Sequence, residues 1–130
     1  MYSSENITEI LDLRFEEPTS YEYTGNRPSD ELIVKALDFV RQIKRNPTPK
    51  VHLGIEGIDT VVVFQWDFEN GGVVQLTLYE EKYALFAINE NGKQAKFESD
   101  EEDYLHEEEL LEDLDSNIEE FILFVKYSNN

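Results

Sequence analysis

The sequence contains no cysteine. That excludes a disulfide framework, a thiolate nucleophile and zinc–sulfur ligation. Bases are scarce: 11 Lys and Arg stand against 29 Asp and Glu, a formal net charge of −18 over 130 residues. Neutralising phosphate takes clustered Lys and Arg, so this balance argues against direct nucleic-acid binding and against docking on an anionic membrane. Long apolar runs are also missing. Stretches such as 61–64 and 121–125 hold four or five residues, whereas a spanning helix needs about 20. The start, MYSSENITEI, has an early Glu5 and neither the basic nor the apolar region of a secretory leader. A soluble, cytoplasmic protein is expected. Its 40% hydrophobic content is enough for a modest core, and the length suits a single domain over 1–130.

Residues 1–28 form a less regular N-terminal segment. Ile7, Ile10 and Leu11 have helical spacing, while Leu11, Leu13 and Phe15 alternate as a strand would. Pro18, Gly25 and Pro28 mark a loop carrying Tyr21 and Tyr23. A helix follows at about 30–45. Ser29 can cap it, and Asp30 and Glu31 occupy the first turn, where the macrodipole favours acids. Leu32, Ile33, Ala36, Leu37, Val40 and Ile43 make one apolar face at 3.6 spacing. Arg41, Lys44 and Arg45 complement its C-terminal end, and Asn46-Pro47 stops it.

The period then becomes two. Val51, Leu53 and Ile55 alternate, as do Val62, Phe64 and Trp66, then Val74, Leu76 and Leu78. Tyr83 to Ile88 makes a fourth run and Lys93 to Phe97 a short fifth. Glu69-Asn70-Gly71-Gly72 reads as a hairpin turn and Asn91-Gly92 as a type I′ turn. The short connections predict a four- to five-stranded antiparallel meander over about 50–97.

Composition shifts abruptly at residue 98. The acidic segment 98–120 holds 13 acids, one His and no Lys or Arg, so it carries −13 of the total −18. Leu110, Leu111, Leu114, Ile118, Phe121, Ile122 and Val125 restore the helical period. They predict an acidic C-terminal helix over about 102–127, or a helix pair meeting near Asp115, because Ser116 and Glu119 match a capping box. The fold class expected is therefore α+β, with the sheet packed against the two helical regions around one core.

As a helix, the 23 residues of the acidic segment span about 34 Å, or one charge per roughly 2.7 Å. Duplex DNA carries one per about 1.7 Å of axis, and one strand carries one per about 3.4 Å. A groove built for nucleic acid would attract such a face. Five like-charge pairs fall at i, i+4: Glu98–Glu102, Asp103–Glu107, Glu108–Glu112, Glu109–Asp113 and Asp115–Glu119. Together they disfavour the helix by about 1–2 kcal/mol if all are helical. The plain alternative is a solvated face that keeps the protein soluble.

Other chemistry finds little support. Asp67, Glu69 and Asn70 beside Gly71-Gly72 fail the spacing of a calcium loop. Adjacent helical acids such as Glu107, Glu108 and Glu109 diverge, so no metal site is expected. His52 and His106 are the only histidines, and nothing in the sequence pairs them. There is no nucleophile elbow and no phosphate-cradling loop before a helix. No enzyme and no cofactor are expected.

In charge density and size the chain resembles the small acidic inhibitors that phages and mobile elements use against nucleic-acid-handling enzymes. These include DNA-mimic anti-restriction and anti-CRISPR proteins. Acidic immunity proteins of bacterial nucleases and some antitoxins share this character. The resemblance covers composition and the 98–120 tract and carries no motif, so no family residue transfers. It implies a non-catalytic inhibitor in the cytoplasm of a bacterial or phage-infected cell. Its partner would be the basic surface of a nuclease or another nucleic-acid-binding enzyme, with no direct nucleic-acid or membrane contact. Glu101, Glu102, Asp103, Glu107, Glu108, Glu109, Glu112, Asp113 and Asp115 would supply the charge, and Tyr104 an aromatic anchor. An immunity protein or antitoxin neutralising a toxin is one alternative. A homo-oligomeric structural or adaptor module, whose acids serve only solubility, is another.

Overall fold

A computed structural model describes residues 10–12, 27–42, 49–56, 59–99 and 107–127; at 42, 56, 59 and 107–113 only the backbone is described. In chain order the elements are a helical segment at 10–12 (α1), α2 (Asp30–Gln42), five strands and α3 (Glu107–Tyr127). The strands are β1 (Lys50–Glu56), β2 (Asp59–Asp67), β3 (Val73–Leu78), β4 (Tyr83–Ile88) and β5 (Gln94–Glu98). They form one sheet in the order β1-β2-β3-β4-β5, and every pair is antiparallel. The architecture is the expected α+β.

Local chemistry explains α2. Ser29 Oγ accepts a hydrogen bond from the Leu32 N–H at 3.2 Å, satisfying one of the orphan donors of the first turn. Asp30 and Glu31 sit in that turn and Arg41 in the last, each where the macrodipole favours its sign. Leu32, Ile33, Ala36, Phe39 and Val40 are buried. Phe39 belongs to the stripe although the expected face omitted it. Its ring packs on Phe64, with centroids 4.7 Å apart, and edge-on to Trp66 at 6.3 Å. Residues 43–48, including Ile43, lie outside the described residues.

The period-two pattern sets the register. Val62, Phe64 and Trp66 on β2, Val74, Leu76 and Leu78 on β3, and Tyr83, Leu85 and Ala87 on β4 are all buried. They share the face on which both long helices pack, α2 over β2 and β3 and α3 over β3 and β4. Asn91-Gly92 is not a type I′ turn, which would require positive φ at both central residues. Only Gly92 (φ 82°) has it, and the Gly92 N–H donates to Asn89 O at 3.0 Å. This is a type I turn closed by a glycine bulge, and the β2–β3 connection at Gly71 (φ 89°) repeats it. Glu98 is not helical. It ends β5 opposite Ala84 and forms an ion pair with Lys82.

Glu107–Tyr127 is one helix, not a pair meeting near Asp115, and 102–106 of the expected span lie outside the described residues. Leu114, Ile118, Ile122 and Val125 form a buried stripe that runs past Asp115 and Ser116 without a break. Neither Gly nor Pro occurs in Glu107–Tyr127, so nothing interrupts the hydrogen-bond ladder at Ser116. Two contacts fix the helix on the sheet. Asn117 Nδ2 donates to Tyr83 Oη at 2.8 Å. At the other end Asn70 Nδ2 donates to the Val125 carbonyl at 3.0 Å, while Asn70 Oδ1 accepts the Gly72 N–H at 2.8 Å. The β2–β3 turn thereby holds a carbonyl in the last turn of α3, one of the groups a helix leaves unpaired.

Candidate functional site

The buried stripe of α3 fixes how the helix is rotated on the sheet, and that rotation places its acids. At about 100° per residue, positions 108, 112, 115 and 119 fall along one flank of the stripe, and positions 109, 113 and 120 along the other. Position 107 falls in line with the stripe, one turn beyond Leu110 and Leu111. Glu107, Glu108, Glu109, Glu112, Asp113 and Asp115 are thus carried by one continuous helix but divided between the two sides of its buried stripe. Glu119 and Glu120, both exposed, extend the series. Glu101, Glu102, Asp103 and Tyr104 lie outside the described residues, as does His106.

The electrostatic ledger differs from the one read from sequence. Glu98 belongs to β5, so its pairing with Glu102 is not a helical one, and Asp103 lies outside the described residues. Three like-charge i, i+4 pairs remain within α3: Glu108–Glu112, Glu109–Asp113 and Asp115–Glu119. At about 0.2–0.5 kcal/mol each they oppose the helix by about 1 kcal/mol. Glu107, Glu108 and Glu109 are the first three residues of α3. Of the five like-charge pairs read from the sequence, three thus lie on the described helix.

What survives is charge density. Residues 107–120 hold eight acids and no base. Fourteen helical residues span about 21 Å, or one charge per roughly 2.6 Å. The spacing again lies between that of one DNA strand and that of the duplex. The first cation along α3 is Lys126, in the last turn, with Nζ 5.7 Å from the Phe68 ring centroid.

Two residues of this surface were missed by the sequence reading. Leu123 is 44% exposed and Tyr127 68% exposed. They stand four apart on α3, following Glu120 on the side away from the sheet. The available signal was negative: both fall off the stripe defined by Leu114, Ile118, Ile122 and Val125. An exposed Tyr is a frequent interface anchor, and this one adjoins the acids as Tyr104 was expected to.

Elsewhere, His52 is exposed on β1. Among the described residues no group of three or more His, Asp or Glu is disposed to hold a metal ion. None of the described helices is long and apolar enough to cross a membrane. An open groove of about 420 Å³ lies on the sheet face opposite the helices, with Gln75, Thr77, Phe86, Lys96 and Glu98 in its lining. No protein-family model, curated protein or solved structure matches the chain.

Proposed function

We propose that the protein is a non-catalytic acidic binder that inhibits a nucleic-acid-handling enzyme by occupying its basic DNA- or RNA-binding surface. One observation carries this reading: the eight acids of residues 107–120 share one helix without an intervening base. A basic cleft selects for anions at close, regular spacing, and the spacing along α3 is comparable to that of phosphates. Charge of this kind steers association and sets specificity. Leu123 and Tyr127 would add desolvated contacts at the C-terminal end. Such a protein acts in the cytoplasm of a bacterial or phage-infected cell. An immunity protein or antitoxin would use the same surface against a toxin nuclease.

The reading is tested with a panel of bacterial restriction nucleases, RNA-guided nucleases and toxin nucleases, assayed for cleavage with and without the protein. Inhibition of at least one enzyme, relieved by excess nucleic acid, is expected. Reversing Glu108, Glu112, Asp115 and Glu119 to Lys should remove it while α3 stays folded. Inhibition that survives the reversal would refute the proposal.

A further inference from the structure

The sheet ends in β5, a five-residue edge strand whose outer side faces no described strand. The Ser99 N–H donates to Tyr83 O, and the Asn89 N–H to Lys93 O, both at 2.9 Å. These bonds fix the parity of the β4–β5 ladder. In an antiparallel pair, residues with inward-facing backbone groups alternate with residues facing outward. Ala95 and Phe97 therefore turn their N–H and C=O groups to β4, while Gln94, Lys96 and Glu98 turn theirs away from the sheet. An edge of this kind is a template for another strand.

The side chains choose the partner and the register. Phe97 is 39% exposed. It pairs with Leu85 on the helix-side face, and its ring lies 5.9 Å from that of Tyr83. Lys96 and Glu98 lie on the opposite face, Lys96 over the Phe86 ring and Glu98 beside Lys82. A second β5, antiparallel and centred on Lys96, would set Lys96 against itself. Centred one residue on, it sets Phe97 against Phe97 at a non-hydrogen-bonded site, where side chains approach most closely. Lys96 then faces Glu98 of the second copy, and Glu98 faces Lys96, at the hydrogen-bonding sites. An edge lysine normally guards a strand against pairing. In this register it meets an acid instead.

We propose that β5 is a self-complementary edge through which two copies of this chain join into a ten-stranded sheet, in the register centred on Phe97. The two-fold axis stands perpendicular to the sheet, so both α3 helices lie on one face of the dimer. The two β4 strands are then about 14 Å apart, at three strand spacings. The contact is one short strand and the monomers repel, so the dimer is weak and forms in the high-micromolar range. This inference stands independently of the function proposed above.

Sedimentation equilibrium on the full chain from about 10 μM to about 1 mM tests it. A shift from 15.2 kDa toward twice that mass is expected. Lys96→Glu and Glu98→Lys each oppose like charges across the pair, and each should weaken dimerisation about tenfold or more. The double reversal, Lys96→Glu with Glu98→Lys, restores opposite charges and should recover the dimer. Lys96→Pro removes an outward N–H without breaking the β4 ladder, so it should abolish the dimer in a protein that still folds by circular dichroism. A monomer throughout the range would overturn the proposal. So would a dimer indifferent to these changes, or one that the double reversal fails to restore.

Discussion

Gly72 offers the sharpest test of how α3 is seated. It is buried beneath the last turns of α3, next to the Asn70 clasp. A Cβ placed on it would lie inside van der Waals contact with Val125 Cγ1, 3.0 Å from Asn70 Oδ1 and 3.3 Å from the Ile88 carbonyl oxygen. Val125 is 1% exposed, and a β-branched residue in a helix has essentially one rotamer, so it cannot swing aside. Overpacking of this kind costs about 1–3 kcal/mol. Gly→Ala also removes freedom from the unfolded chain, which offsets about 0.4–1 kcal/mol. Gly72→Ala should therefore destabilise the fold by about 1–2 kcal/mol. Val125→Ala alone removes two buried methyls, at about 0.8 kcal/mol each before any cavity term. In the double variant the new Cβ fills the vacated space. The two changes should couple favourably by about 1 kcal/mol or more. Urea unfolding of the four proteins, followed by far-ultraviolet circular dichroism, measures the cycle. Additivity within about 0.5 kcal/mol would show that the β2–β3 turn and α3 do not meet as described.

Other substitutions probe separate features. Gly92 has φ 82° and open space around its Cβ position. Gly92→Ala should thus show backbone strain alone, about 1 kcal/mol in a thermal melt, and Gly92→Asn clearly less. Position 112 lies four residues from Glu108 and three from both Glu109 and Asp115 in one helix. Glu112→Lys should therefore raise stability by about 0.5 kcal/mol in urea unfolding; a loss would mean that the acids are not acting as like-charge neighbours.

Much of this fold was legible because two periodicities are clean. The helical stripe of α2 and the alternation of β3 and β4 each have one buried face, which fixes register and rotation, whereas β2 also buries Val61 and Val63 on its other face. The rest depended on features that periodicity does not report. Phe39 was left out of the expected α2 face, yet it packs against Phe64 and Trp66 across the layer. Ser116 matched a capping box, but an unbroken stripe outweighed the local signal. Asn91-Gly92 suggested a two-residue turn, yet the pairing of Asn89 with Lys93 selected a longer one. In the candidate site, the spacing of the acids was plain from sequence. Their rotation relative to the sheet was legible as well, because Leu114, Ile118, Ile122 and Val125 of the expected stripe are the residues α3 buries. Leu123 and Tyr127 fall off that stripe and are exposed, a signal in the sequence that the expected site left unused. Glu98 was grouped with the tract by composition, although its backbone belongs to β5.

In the proposed function α3 competes with nucleic acid for a basic cleft. Displacement of labelled duplex DNA from a nuclease that the protein inhibits, followed by fluorescence anisotropy, measures this competition. Direct binding of the chain to the same enzyme is compared between about 50 and 200 mM salt. Displacement is expected, with a fall of at least about tenfold in direct affinity over that range, and loss of both on reversing Glu108, Glu112, Asp115 and Glu119 to Lys. Binding that leaves the DNA in place, or that is indifferent to salt and to the reversal, would contradict it.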